Sequence, residues 1–473
     1  MFKKHFLRLA VMGGILLAQT AVATDEFPVA VGRDSTVSGG AAYGGYNGIV
    51  AVMGDTLSQF NITAQLISYP NGLLGPRISL GRTGVFPGAT PIFDDTNYLL
   101  VWKEFSGAVN GQFIDTSGGM VGPYFTIATG ASTEERPGSS VIAMSDTAFL
   151  VAFVKTDGYL YGQRINRSGA LLGGQIQISG NHARENSLAY DGANYLVTWV
   201  EDIPNNSKNI YGQFVSAAGS LVGGNFLIDG GPNLSDNPTS LAFDGTRYLL
   251  AYHEAPDTSP HSWTLVGRFI TTAGTIEDLI VICDSTKAPF FPSVAFDGND
   301  YLIMWTQFST MTAMGRFWTT AGVPVDTPFV VFDHAAGRIP IGGVGFGGGR
   351  YLAVAARLDT SFTDGDVYAR FIDPLTGVEG AGNSATAKVG LSRNRPNPFN
   401  QSTVISYQLP ANIYVKLKVY DVLGRETATL MDGPQAAGSH SVKFNAGSLA
   451  GGVYFYRLQC GNNVETGKLV LLR

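Results

Sequence analysis

The sequence predicts an all-β chain: a seven-bladed β-propeller followed by a small antiparallel β-sandwich. Three observations predict it. A cassette recurs seven times at intervals of 46 to 53 residues; its clearest copies are Tyr190–Leu196, Phe243–Leu249 and Phe296–Leu302. A second motif, Gly111-Gln112-Phe113-Ile114 in its clearest form, recurs at the same period. Past residue 380 the repeat stops and shorter alternating strands begin. A fixed period of this size, with four short strands per unit, is the mark of a propeller.

The cassette aromatic stands at Tyr98, Phe149, Tyr195, Tyr248, Tyr301 and Tyr351, with Gly48 in a degenerate first copy. The fourth unit shows how each is built. Residues 187–190 form a first strand, and Asp191-Gly192 supplies the tight turn. Tyr195 to Val200 alternates as a second strand, Tyr211 to Val215 is the third, and Asn225 to Ile228 the fourth. Turn glycines follow the third strands at Gly72, Gly118, Gly169, Gly219, Gly274, Gly322 and Gly377. Small residues before the first turn (Ala143, Ala189, Ala242, Ala295, Gly345) suit a crowded axis. The seventh unit has no apolar fourth strand, only Gly380 to Ser384, while residues 27–31 look like a fourth strand without its first three. The opening segment is therefore expected to complete the last sheet and close the ring over residues 24–380.

Residues 1–23 read as a secretory signal: Lys3, Lys4 and Arg8, then the apolar run Leu9 to Ala18, then Ala21-Val22-Ala23. No later run is apolar enough for a transmembrane helix. Removing the signal leaves 28 basic against 37 acidic residues, which argues against nucleic acid or an anionic membrane surface as partner. Cys283 and Cys460 fall in different domains, so no structural disulfide is expected. Neither paired Cys nor Cys/His spacing marks a metal site, and no cofactor is implied.

Residues 381–390 read as a linker, and 391–473 as strands at Thr403 to Leu409, Tyr414 to Val422, His440 to Phe444, Val453 to Gln459 and Thr466 to Leu472. In order along this stretch come Pro396-Asn397-Pro398-Phe399-Asn400, Val419 to Glu426 with Gly424-Arg425, Gly438-Ser439-His440, Gly451 to Leu458 with Gly452 and Tyr454, and Thr466 to Leu472. Together they resemble the C-terminal sorting domain of cargo of the type IX (Por) secretion system. The resemblance implies an immunoglobulin-like module, the type IX machinery as partner, and a Gram-negative bacterium of the Bacteroidetes kind. It also implies passage across the outer membrane to the cell surface or the medium. The propeller region resembles, more loosely, the Asp-Gly-x-x-Tyr-Leu-x-x-Trp repeats of bacterial secreted proteins of mostly unknown role.

In a propeller the second-to-third loops and the links between sheets share one face. Here that set varies in length and content, so the binding site is placed there. One repeat position on that side, six residues beyond the cassette aromatic, holds Gly54, Glu104, Lys155, Glu201, Glu254, Gln307 and Arg357. With Trp102, Trp263 and Trp305 these form a candidate polar and aromatic ligand ring, for a carbohydrate among others. The plainer reading leaves strand-end charges in solvent and Trp102 and Trp305 in the core. Asp94, Asp191, Asp244 and Asp297 suggest calcium or acid–base work, but a turn role accounts for them. Glu201-Asp202 and His253-Glu254 are the only pairs that suggest catalysis. Gly343 to Gly348 matches Gly-x-Gly-x-x-Gly, but with no following helix it is no dinucleotide site.

The expectation is an exported surface or extracellular binding protein, non-enzymatic, presenting a loop face to a glycan or protein. The rival is a secreted polysaccharide hydrolase or lyase at the same face, and a third reading is a structural surface component.

Overall fold

The computed structural model of the chain describes residues 5–12, 15–22, 25–30, 36–43, 47–55, 60–69, 72–83, 89–132, 140–203, 207–231, 240–254, 263–325, 327–333, 339–347, 349–358, 365–374, 390–391, 394, 396–409, 413–435, 438–447, 449–460 and 463–472. Two compact units divide the chain, Met1–Thr376 and Gly377–Arg473. The described residues contain no α-helix; Ser285–Lys287 is a single 3-10 turn.

Among the described residues, the first unit carries seven four-stranded sheets, each antiparallel. Their first strands are Thr36–Tyr43, Thr90–Phe93, Ser140–Met144, Arg184–Tyr190, Ser240–Phe243, Pro289–Phe296 and Ile339–Gly347. Each first strand packs on the next, and the last packs on the first. The sheets thus stand around a ring: a β-propeller. His5–Met12 and Ile15–Val22 pair only with each other.

Six sheets are continuous in sequence; the seventh is not. Its fourth strand is Phe27–Ala30, which lies against Gly365–Ile372 with Phe27 opposite Ala369 and Ala30 opposite Val367. Gly377 and residues 380–384 of the unfinished seventh unit lie outside the described residues. Val29 and Ala30 share one buried cluster with Val50, Val52, Val354 and Phe371, from the first and seventh sheets. Just before the closing strand, Glu26 takes both carboxylate oxygens to the Arg357 guanidinium at 2.8 Å. Arg357 also reaches Asp333 Oδ1 at 2.9 Å, in the link from the sixth sheet.

Two repeated side chains hold the ring, one between neighbouring sheets and one within a sheet. The cassette tyrosines are fully buried, and those of three sheets donate the hydroxyl to a backbone carbonyl of the preceding sheet, whereas Tyr301 makes no such bond. Tyr98 reaches Asn47, Tyr195 reaches Ala148 at 2.9 Å, and Tyr351 reaches Asp300 at 2.8 Å. The carbonyl always precedes the neighbour's own cassette position. Each such bond stabilises by about 1 kcal/mol net. The motif glutamine serves within a sheet. Gln112 Nε2 donates to the Phe113 and Gly122 carbonyls, and Gln213 to those of Phe214 and Val222. In both sheets the register between third and fourth strands shifts at that point, so the amide pairs carbonyls that the bulge strands. The glycine before it is required because the fourth strand packs over it: a Cβ on Gly212 would lie 2.7 Å from the Phe226 ring.

The second unit is a sandwich of a three-stranded and a four-stranded sheet, with Gly390–Leu391, Ser402–Leu409 and Gly438–Asn445 in one. Its core joins Phe399, Ile405, Leu417, Tyr456, Leu458 and Leu469.

The glycine-rich stretch of the seventh sheet packs against the first. A Cβ on Gly347 would collide with the Tyr43 carbonyl, whereas one on Gly174 meets nothing. Gly347→Ala is expected to lower stability in urea unfolding by about 1–3 kcal/mol, and Gly174→Ala to leave it nearly unchanged.

Candidate functional site

Hydrogen bonds between loops fix which loops share a face. Arg167, in the third-to-fourth turn of the third sheet, donates to the carbonyls of Asp94 and Asp146, both in first-to-second turns. Lys103, at the end of a second strand, donates to the Ser132 carbonyl in the link to the next sheet. The second-to-third loops and the links thus lie together on the other face. Much of that face, including 232–239 and 255–262 with His261, lies outside the described residues.

The seven polar ring positions sit at or near the ends of second strands and Trp263 just before a third strand, but they do not form one open ring. Arg357 is buried in the closure just described. Glu201 is buried too, accepting from Trp199 Nε1 at 3.0 Å and Asn181 Nδ2 at 3.2 Å. Gln307 is nearly buried and donates to Thr310 Oγ1 at 2.9 Å. Lys155 lies over the Tyr161 ring at 4.1 Å. Glu104 accepts from Ser106 at 3.5 Å in its own turn. Gly54 lies in a second strand. Trp102 and Trp305 are core.

Glu254 is different. Strand alternation sends it to one side of the fifth sheet and His253 to the other, so the two form no dyad. On its side Glu254 meets Asp229 from the fourth sheet's last strand, with Tyr252 and Arg268. Tyr252 donates to Asp229, and Arg268 reaches Asp229 Oδ2 and the Tyr252 hydroxyl at 3.3 Å each. Burial first, and then the Asp229 charge, raises the Glu254 carboxyl above its ordinary value, against the pull of Arg268. Arg268 occupies the place that Gln213 holds one sheet earlier. Its longer side chain reaches between sheets where glutamine stays on its own.

On the other side His253 is buried against the Phe290 ring, centroids 5.2 Å apart. Neither imidazole nitrogen makes a well-formed hydrogen bond. Burial pushes its pKa down to about 3, which the Pro289 backbone offsets only in part. Above it four half-buried aromatic rings converge. Trp263 packs edge-on to Phe290 at 4.1 Å, Phe308 meets Phe290 at 4.8 Å, and Phe291 lies 5.9 Å from Phe290 and 6.4 Å from Phe308. Three segments supply them: the second-to-third loop of the fifth sheet, the link into the sixth with the start of its first strand, and the second-to-third turn of the sixth. The last two are stitched together by Phe308 N–H to the Ala288 carbonyl at 3.0 Å and Ser309 N–H to that of Lys287 at 3.4 Å. The backbone here is strained. Of four described non-glycine residues with left-handed φ, three are Ala288, Phe291 and Met311. Each such residue costs about 1–3 kcal/mol, and such strain gathers at functional sites. Phe291 sits where the first strand's register slips between Phe290 and Ser293. The sequence carried a signal for this: Pro289-Phe290-Phe291-Pro292 matches no other unit.

The cassette aspartates hold turns. Asp191 Oδ1 accepts from the N–H groups of Ala193 and Asn194, and Asp94, Asp244 and Asp297 repeat the pattern. Asp202 is paired with Arg184 at 2.5 Å and with Lys208. Burial pushes the Cys283 thiol up to about 12, far from nucleophilic use. The described residues hold no cluster of His, Cys, Asp and Glu fit for a metal ion.

In the second unit the motif residues tie the sandwich. Asn397 Nδ2 donates to the Lys468 carbonyl and its Oδ1 accepts from Val470 N–H, both at 2.8 Å. Pro398 is exposed, while Phe399 enters the core and exchanges backbone bonds with Val470 and Leu472. Pro396 gives its carbonyl to Thr403 at 2.8 Å; Asn400 is exposed. Asp421 clamps the turn at Gly424 and takes Arg425 Nε at 2.7 Å. Tyr454 donates to the Ala450 carbonyl across the turn at Gly452.

Residues 395–472 match the family described as the secretion system C-terminal sorting domain. That segment is a type IX sorting domain. It directs the chain across the outer membrane to the cell surface or the medium and implies contact with that machinery. No helix among the described residues is long and apolar enough to cross a membrane. No curated protein matches the chain. Solved structures similar to it include the β-propeller domain of the Trilobed protease from Pyrococcus furiosus, at 10% identity and TM-score 0.46 over 76% of this chain and 100% of that one. A protein of unknown function from Dyadobacter fermentans is similar at 9% identity and TM-score 0.46, over 75% and 99% of the two chains.

The neutral, buried His253 makes a pH prediction. Its folded pKa lies below the unfolded value near 6.5, so the unfolded chain binds the extra proton between those values. Stability from this site is full above pH 6.5 and is lost as pH falls toward 3. Thermal melts of His253→Leu are expected to fall less steeply than wild type across that window.

Proposed function

We propose that the chain is an exported cell-surface or extracellular binding protein whose propeller offers its variable face to a glycan or protein ligand. Residues 1–23 are the leader removed on export, residues 24–380 the binding domain, 381–390 a linker and 391–473 the sorting module. The source is a Gram-negative bacterium of the Bacteroidetes kind or a relative. The observation that carries the binding reading is the half-exposed aromatic cluster of Trp263, Phe290, Phe291 and Phe308 on stitched, strained loops. A rigid apolar patch with polar groups at its edge suits recognition.

The rival hydrolase or lyase needs two carboxyls separated by about 5–10 Å around a scissile bond. Glu26 and Asp333 come together on this face, but both grip the buried Arg357 guanidinium. Asp229 and Glu254 are also brought together here. They lie in hydrogen-bonding contact and are held by Tyr252 and Arg268, an arrangement that favours a structural tie.

Incubating the full chain with a glycan array and with surface-protein extracts tests the proposal, with reducing-end release measured in parallel. Retention without release is expected. Accumulating reducing ends would establish the hydrolase instead, and no retention on either set would refute binding. Deleting residues 391–473 is expected to leave the chain inside the outer membrane; cell fractionation measures it.

A further inference from the structure

We infer that Trp263, Phe290, Phe291 and Phe308 form a stacking platform for a sugar ring of a neutral glycan. This deepens the proposed binding function and rests on it. Four rings converge at one place on the variable face, and all are half-buried, so each keeps surface for a ligand. The C–H faces of a pyranose pack on aromatic π-faces, while its equatorial hydroxyls need hydrogen-bond partners at the edge. One edge of this cluster supplies them. Gln307 precedes Phe308 and begins a chain to Thr310 and Thr312, whose hydroxyls are 2.6 Å apart.

The platform is also preorganised. The Ala288 and Lys287 carbonyls hold the Phe308 turn, and His253 packs beneath as an uncharged ring. Left-handed backbone at Ala288, Phe291 and Met311 is retained in the free protein, so its cost does not fall on binding. Beyond residues 1–23 the chain carries 28 basic against 37 acidic residues, a balance that disfavours uronic or sulfated sugars, which is why the ligand is neutral.

The chain reports on this site by itself. Of its tryptophans, Trp102, Trp199, Trp305 and Trp318 are buried, and Trp263 is half-exposed. Acrylamide quenching of the full chain is measured with cellohexaose, laminarihexaose, xylohexaose, mannohexaose and a polygalacturonate oligomer, with calorimetry for affinity. At least one neutral hexasaccharide is expected to shield tryptophan, and the polygalacturonate oligomer to leave it unshielded. Trp263→Ala and Phe308→Ala are each expected to weaken that binding by about tenfold, with circular dichroism showing the fold kept. Binding that neither substitution weakens overturns the platform while leaving a glycan-binding face. Silence of every neutral sugar overturns it too. A surface protein captured by the same face would then preserve the binding reading, and its absence would remove both.

Discussion

The first unit depends on one long-range pairing, that of Phe27–Ala30 with Gly365–Ile372. Without it the seventh sheet ends in an exposed third strand, and the ring has a seam. Closing a loop of this length costs entropy that grows only logarithmically, so the cost is modest beside the apolar surface covered. The cluster around Val29, Val50, Val354 and Phe371 cannot form from either terminus alone. Arg357 reinforces the seam from the side by binding Glu26 and Asp333 together. A buried guanidinium with two acidic partners and the Tyr368 ring beneath it has no reason to face a ligand.

Around the rest of the ring, adhesion is periodic. The cassette aromatics give most sheets a large buried apolar body, and Tyr98, Tyr195 and Tyr351 add a hydroxyl bonded to the sheet before. Glutamine at the third-strand bulge keeps the fourth strand, which has an open edge, in register. Such regularity fixes a scaffold and leaves little for chemistry. Interest therefore concentrates where the pattern breaks. Arg268 replaces a glutamine and draws Asp229, Tyr252 and Glu254 into one polar knot between sheets. Phe290 and Phe291 interrupt a first strand and turn aromatic surface toward the variable face.

Much of the fold was legible because it rests on local rules. Asp-Gly turns, strand alternation and turn glycines are short-range, and Gly118 and Gly219 adopt the left-handed φ that their turns need. The missing fourth strand of the seventh unit was legible as an absence in an otherwise regular count. The site was less so. Periodicity placed Glu201, Gln307 and Arg357 at strand ends, yet whether such a residue faces solvent depends on its neighbour. Glu201 is taken by Trp199 and Asn181, and Arg357 by residues 331 and 24 positions away in sequence. Of the aromatic cluster, Trp263 was legible as a candidate apolar surface, whereas Phe290 and Phe308 were not: a strand start and a separate turn carry them, and no period relates the two to Trp263.

The strained backbone at that platform is itself an energetic argument. Three residues in left-handed conformations within one patch oppose folding, and glycine at any of them would relieve most of the cost. The chain has 60 glycines and uses them freely at its turns. At Ala288, Phe291 and Met311 it carries side chains instead. Phe291 adds a ring to the cluster, and Ala288 accepts the bond that anchors the Phe308 turn. Stitching between loops offsets strain that a simple connection would avoid. A loop needed only to link two sheets gains nothing from this; a loop that must hold aromatic rings at fixed angles to one another does.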